Sequence, residues 1–92
     1  MPKLSLSPDA AAAIALRALA FLAKDPKRIS RFLDLTGTDP STIATLATQT
    51  DFQKAVLDHL LSEESMLLEF CTNESIDPTL PSKASEILSS SR

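Results

Sequence analysis

The chain has 92 residues, a net charge of −3, 43% hydrophobic and 23% charged side chains, which is the balance of a soluble globular domain with one modest core. One Gly, one Cys, no Trp and no Tyr exclude a glycine-rich phosphate loop, an internal disulfide and an aromatic platform for stacking bases. Residues 1–50 carry six basic and four acidic side chains, whereas residues 51–92 carry three and eight, so basic character is confined to the first half.

Few residues are β-branched and no long run alternates with period two, so the expected class is all-α. The expected architecture is a compact single-domain bundle of five to six short helices. It spans residues 1–92, with an ordered part over about 7–88 and a flexible tail at 89–92. Four dipeptides punctuate it: Ser7-Pro8, Asp25-Pro26, Asp39-Pro40 and Asp77-Pro78. Each sets a good N-cap residue before a proline, whose fixed φ and missing N–H suit the first helical position.

The first predicted helix runs from Pro8 to about Lys24. Its segment Ala10–Ala23 is apolar except for Arg17, too short for a membrane span and wrongly charged for a targeting signal. It reads as a central core helix with only Ala13, Arg17, Ala20 and Lys24 on its small or charged strip. No membrane partner is expected, and the lone Cys71 fits a reducing, cytoplasmic setting. The second helix, Pro26 to about Thr36, turns in Ile29, Phe32, Leu33 and Thr36 and stops at Gly37, which suits a left-handed C′ residue. The third, Pro40 to about Thr48, is short and turns in Ile43, Leu46 and Ala47.

Thr50 and Gln53 have capping-box spacing at the start of a fourth helix, whose inner face is Phe52, Val56, His59 and Leu60. Ser62 is a candidate cap for a fifth, with Met66, Leu67, Phe70 and Cys71 on its apolar face. The alternative is one continuous helix from Asp51 to Asn73. The last helix begins near Pro78 or at Pro81 and uses Leu80, Ala84, Ile87 and Leu88. Phe21, Phe32, Phe52 and Phe70 are expected to meet in one core.

The stretches "ALAFLAKDPKRISRFLDLTGTDP" at 18–40 and "AVLDHLLSEESMLLEF" at 55–70 resemble a family of small bacterial proteins classed as a domain of unknown function. The resemblance covers about residues 10–88. Its marks are Phe21-Leu22-Ala23 before Asp25-Pro26, Arg31-Phe32-Leu33, Leu35-Thr36-Gly37, Asp39-Pro40 and Val56-Leu57-Asp58. His59 departs from a pattern with a hydrophobic or aromatic residue nearby. The resemblance implies a small helical protein of the bacterial cytoplasm and supplies no activity or site residue.

Gly37 between two helices also has the outline of a helix-turn-helix. The would-be reading helix, "PSTIATLATQ" at 40–49, carries no cation, and Asp39 stands at the end that would enter the groove. A helical corner is the better reading. His59 and Cys71 are the remaining candidates for chemistry, yet both fall on or beside apolar faces, where each is more often a packing residue. One His and one Cys with scattered carboxylates make no metal set, so neither a metal, a cofactor nor a catalytic residue is expected.

The strongest polar signal is Lys24, Lys27, Arg28 and Arg31, spaced i, i+3, i+4, i+7. These four are the candidate partner-docking residues. The expected function is a non-enzymatic interaction or regulatory module for a protein with an acidic surface. The alternatives are nucleic-acid association through the same stripe and, third, a small Cys/His enzyme. The internal alternative is neutralisation of the stripe by the carboxylates Glu63, Glu64 and Glu69. The stripe is expected to stay free, because the fourth and fifth helices have apolar faces of their own to bury.

Overall fold

Ser7 opens the first helix, α1 (Pro8–Ala23), by accepting a hydrogen bond at Oγ from the Ala10 N–H at 3.1 Å, and Pro8 takes the first helical position. In the computed structural model, which describes residues 6–90, five more α-helices and one 3₁₀ turn follow, and no strand occurs among those residues. They are α2 (Pro26–Thr36), a 3₁₀ turn (Pro40–Thr42) leading into α3 (Ile43–Leu46), α4 (Thr50–Leu61), α5 (Glu64–Glu74) and α6 (Leu80–Ser90). Among the described residues no helix is long and apolar enough to cross a membrane.

Asp25 and Asp39 act as Ser7 does. Asp25 Oδ1 accepts from the Lys27 N–H at 3.0 Å, and Asp39 Oδ1 from the Ser41 N–H at 2.9 Å. Asp77 differs: its Oδ1 takes the Thr79 N–H at 2.9 Å, and regular helix begins only at Leu80. Pro81 therefore lies in the first turn of α6, where its missing N–H removes no helical bond. The helix continues through Ser89 and Ser90, two residues beyond the expected end; Ser91 and Arg92 lie outside the described residues.

Gly37 ends α2 at φ +66°, with the Thr38 N–H bonded to Leu33 O at 2.9 Å and its own N–H directed to Asp34 O at 3.3 Å. That is a Schellman closure, which needs a left-handed residue. The same closure ends α5, where Ser75 takes φ +55° and the Ile76 N–H reaches Cys71 O at 2.9 Å. No glycine announces this second stop.

Three local expectations change. The Thr50–Gln53 capping box does not form, because α4 starts one residue earlier in register with Gln49 as its N-cap. Gln53 is buried instead, donating from Nε2 to Ala47 O at 2.8 Å and so closing the end of α3. Ser62 does separate two helices, but by ending α4, its Oγ donating to His59 O at 2.6 Å; α5 starts at Glu64, with Glu63 in the N-cap position making no side-chain capping bond. Thr36, expected to face inward, is exposed and turns its Oγ1 back to Phe32 O.

The helices α1, α4 and α6 pack on one another as the central trio. On α1, Ala11, Ala15 and Ala18 are almost wholly buried, and such small side chains let neighbouring backbones approach closely. From α4 come Phe52, Val56, Leu57 and Leu60, and from α6 Ala84 and Leu88. Helices α2 and α5 lie against this trio and send in Phe32 and Leu33, and Met66, Phe70 and Cys71 respectively. All four Phe side chains join the one buried cluster, in two edge-to-face pairs: Phe21–Phe70 at 5.5 Å and Phe32–Phe52 at 5.7 Å. Each such pair is worth about 0.5–1.5 kcal/mol beyond its burial.

Candidate functional site

With Phe32 and Leu33 inward, the 3.6-residue period turns Lys27, Arg28 and Arg31 toward the edge and outer side of α2. Lys24 does not share that helix. It lies before the Asp25–Pro26 break as the C-cap of α1, exposed, with its N–H on Ala20 O.

The stripe is not free throughout, contrary to expectation. Arg28 Nη2 meets Glu69 Oε1 at 2.6 Å, its Nε lies 3.8 Å from Asp25 Oδ2, and its guanidinium sits 4.9 Å from the Phe21 ring centroid. The hydrogen bond to Glu69 raises the Arg28 pKa further above its ordinary value. One side chain thus ties α1, α2 and α5 together. Arg31 Nη1 lies 3.4 Å from Glu63 Oε2. These two bridges run in opposite order along the chain, so α5 passes α2 antiparallel. The break at Ser62 separates α5 from α4, and α5 then packs Phe70 on Phe21 of α1 while Glu63 and Glu69 meet the arginines of α2.

Among the described residues Lys24 and Lys27 make no ion pair. Lys27 and Arg31 border two depressions. The outer one is an open groove along α2 itself, lined by Pro26, Lys27, Ser30, Arg31, Asp34 and Leu35. Leu35 is 65% exposed, the most exposed of the large apolar side chains among the described residues. The inner one is a cleft of about 140 Å³ between α2, α4 and the start of α5, lined by Lys27, Arg28, Arg31, His59, Glu63 and Met66.

His59 enters that cleft from α4, with its ring edge-on to Phe32 at 5.2 Å. Burial pushes its pKa below 6.5; Glu63 opposes the shift and Arg31 adds to it. Cys71 points elsewhere, into the buried cluster, where burial and then Asp77 push its thiol upward and away from thiolate chemistry. No group of His, Cys, Asp and Glu among the described residues has the arrangement of a metal site. The second helical piece of the would-be DNA reader is a 3₁₀ turn plus four α-helical residues, Ile43–Leu46.

Sequence reasoning placed the cations but missed Leu35 and the His59 cleft. Leu35 belonged to none of the expected faces, which was the available signal for an outward position. The fold and this surface define a small all-helical domain with a basic, partly paired helix at its edge. A family model of unknown function, DUF3572, matches residues 8–91, and the chain belongs to that family. Comparison with the curated proteins gives no match, and comparison with the solved structures gives none either.

Proposed function

We propose that this protein is a non-enzymatic interaction module that binds an acidic partner protein through the outer side of α2. The observation that carries the reading is Leu35, 65% exposed beside Lys27 and Arg31 in one groove. A large apolar side chain bordered by cations suits an amphipathic acidic segment: apolar contact supplies affinity, and charge supplies orientation and encounter rate. Arg28 is better read as a strut, since Glu69, Asp25 and Phe21 already engage it. Lys24 lies near enough in sequence to extend the positive field without sharing the groove. The buried thiol of Cys71 is consistent with a cytoplasmic setting for this role.

The test is affinity capture from the native cell at near-physiological salt, comparing wild type with a Lys27→Glu/Arg31→Glu/Leu35→Asp variant. Circular dichroism and thermal melting establish first that the variant is folded. The expected result is loss of at least one partner with an acidic binding segment. Retention of every wild-type partner by the folded variant overturns the reading.

A further inference from the structure

We infer that the cleft between α2, α4 and the start of α5 is a binding site for one phosphoryl-type oxyanion, held at present by the side chain of Glu63. The inference goes beyond partner docking and does not require it, because the cleft lies on the inner side of the Lys27–Arg31 ridge and the docking groove on the outer.

The charges of the lining make the case. Three cations and one imidazole face a single carboxylate. Glu69 and Asp25 account for Arg28, which leaves Lys27 and Arg31, one helical turn apart, with Glu63 between them and α5. Lys27 makes no ion pair there, and Arg31 meets Glu63 at 3.4 Å, with the two side chains 65% and 42% exposed. An exposed pair of this kind is weak, and a doubly charged anion offers the same cations more charge than one carboxylate does. A phosphoryl group offers several acceptor oxygens where Glu63 presents one near Arg31. Arg31 could grip two of them through its planar fork, and Lys27 could reach a third. His59 also lines the cleft and carries one ring N–H when neutral and two when protonated, so a donor is present in either state.

Glu63 is free to leave. It occupies the N-cap position of α5 in extended backbone, φ −130° and ψ 108°, yet its side chain makes no capping hydrogen bond. Its rotation outward therefore breaks the bridge to Arg31 and no helix cap. About 140 Å³ seats one phosphoryl group and a little solvent, and whatever carries that group extends out through the open side of the cleft. The same chemistry arises from free phosphate, from a small phosphate ester or from a phosphorylated side chain.

The decisive measurement is an amide and imidazole NMR titration of the full chain with inorganic phosphate, against chloride at matched ionic strength. Saturable shifts centred on Lys27, Arg31, His59 and Glu63, absent with chloride, are expected. Glu63→Gln should tighten phosphate binding by up to about fivefold, the equivalent of one exposed ion pair. Arg31→Ala should abolish saturation in a protein that circular dichroism shows to be folded. A parallel arm uses a short phosphoserine peptide and its unphosphorylated twin. Tighter binding of the phosphopeptide than of phosphate assigns the group to a partner side chain, and equal binding assigns it to a small molecule. Chloride-like shifts in both wild type and Glu63→Gln overturn the inference, as does undiminished binding by Arg31→Ala. This titration contains no partner protein, so its failure is distinct from failure of the docking reading, which is measured by captured partners.

Discussion

The central trio α1, α4 and α6 and the flanking pair α2 and α5 solve the same problem with different chemistry. In the trio, contact is mainly apolar, with one hydrogen bond from Ser85 of α6 to Asp58 of α4: Ala11, Ala15, Ala18, Leu57, Leu60 and Ala84 are essentially sealed from solvent. The pair inserts large aromatic side chains into that core and closes the outer seam with ion pairs, Arg28–Glu69 and Arg31–Glu63. Apolar burial is non-directional and strong, whereas exposed charge pairs are directional and weak. The flanking layer therefore owes its attachment to Phe32 and Phe70 and its alignment to the arginines. A layer so built can offer cations to another molecule without endangering the core.

Removing an aromatic anchor should test that division most severely. Phe32 is fully buried and touches the rings of both Phe52 and His59. Phe32→Ala should lose about 3–5 kcal/mol, a large part of the total stability of a domain this small. Urea denaturation followed by circular dichroism gives the number, and a loss under about 1 kcal/mol would show that α2 hangs on its ion pairs instead.

The two left-handed helix ends, one on each flanking helix, give effects of opposite sign. A Cβ at Gly37 meets nothing within 4 Å, so Gly37→Ala pays only the backbone term, about 1 kcal/mol of lost stability. Ser75 already carries that strain at φ +55°, and Ser75→Gly should raise stability by up to about 1 kcal/mol. Thermal melting of the two variants side by side should move Tm down for the first and up for the second.

The arginines should separate next. Arg28 combines an ion pair, a contact over Phe21 and a half-buried stem, so Arg28→Ala should cost about 1 kcal/mol. Arg31→Ala should stay within about 0.5 kcal/mol, since its pair is exposed. Equal losses from both would mean that the seam is a single cooperative network, which a double-mutant cycle would expose.

The smallest effect is in pH. His59 has its folded pKa depressed below 6.5, first by burial, with Glu63 opposing and Arg31 adding. A base that is harder to protonate when folded stabilises the native state above its unfolded pKa, and that contribution is lost as pH falls through the depressed value. Melting temperature should therefore decline modestly from pH 7.5 toward 5, and His59→Gln should flatten that part of the profile. A further decline at lower pH belongs partly to Asp58. Burial works against its ionised form, but hydrogen bonds from Lys54 and Ser85 outweigh it and hold its pKa down.

By itself the sequence determined the helix starts at Ser7-Pro8, Asp25-Pro26 and Asp39-Pro40 and the stop at Gly37. These are local events: each capping bond joins residues two or three positions apart, and Gly37 needs only its own backbone freedom. The Phe cluster was legible for a related reason, since helical period alone assigns those rings to inner faces. Tertiary structure decided the rest. Ser75 adopts a conformation that serine disfavours because Ile76 must turn back onto the core, a gain invisible in the residues around it. Gln53 abandoned its capping box for the carbonyl of Ala47, which the α3–α4 corner brings within reach. Above all, the fate of the basic stripe hung on which helix would lie beside α2. Arg28 and Glu69 are 41 residues apart, and charge pattern along a chain carries no information about neighbours at that separation until packing of apolar faces has chosen them.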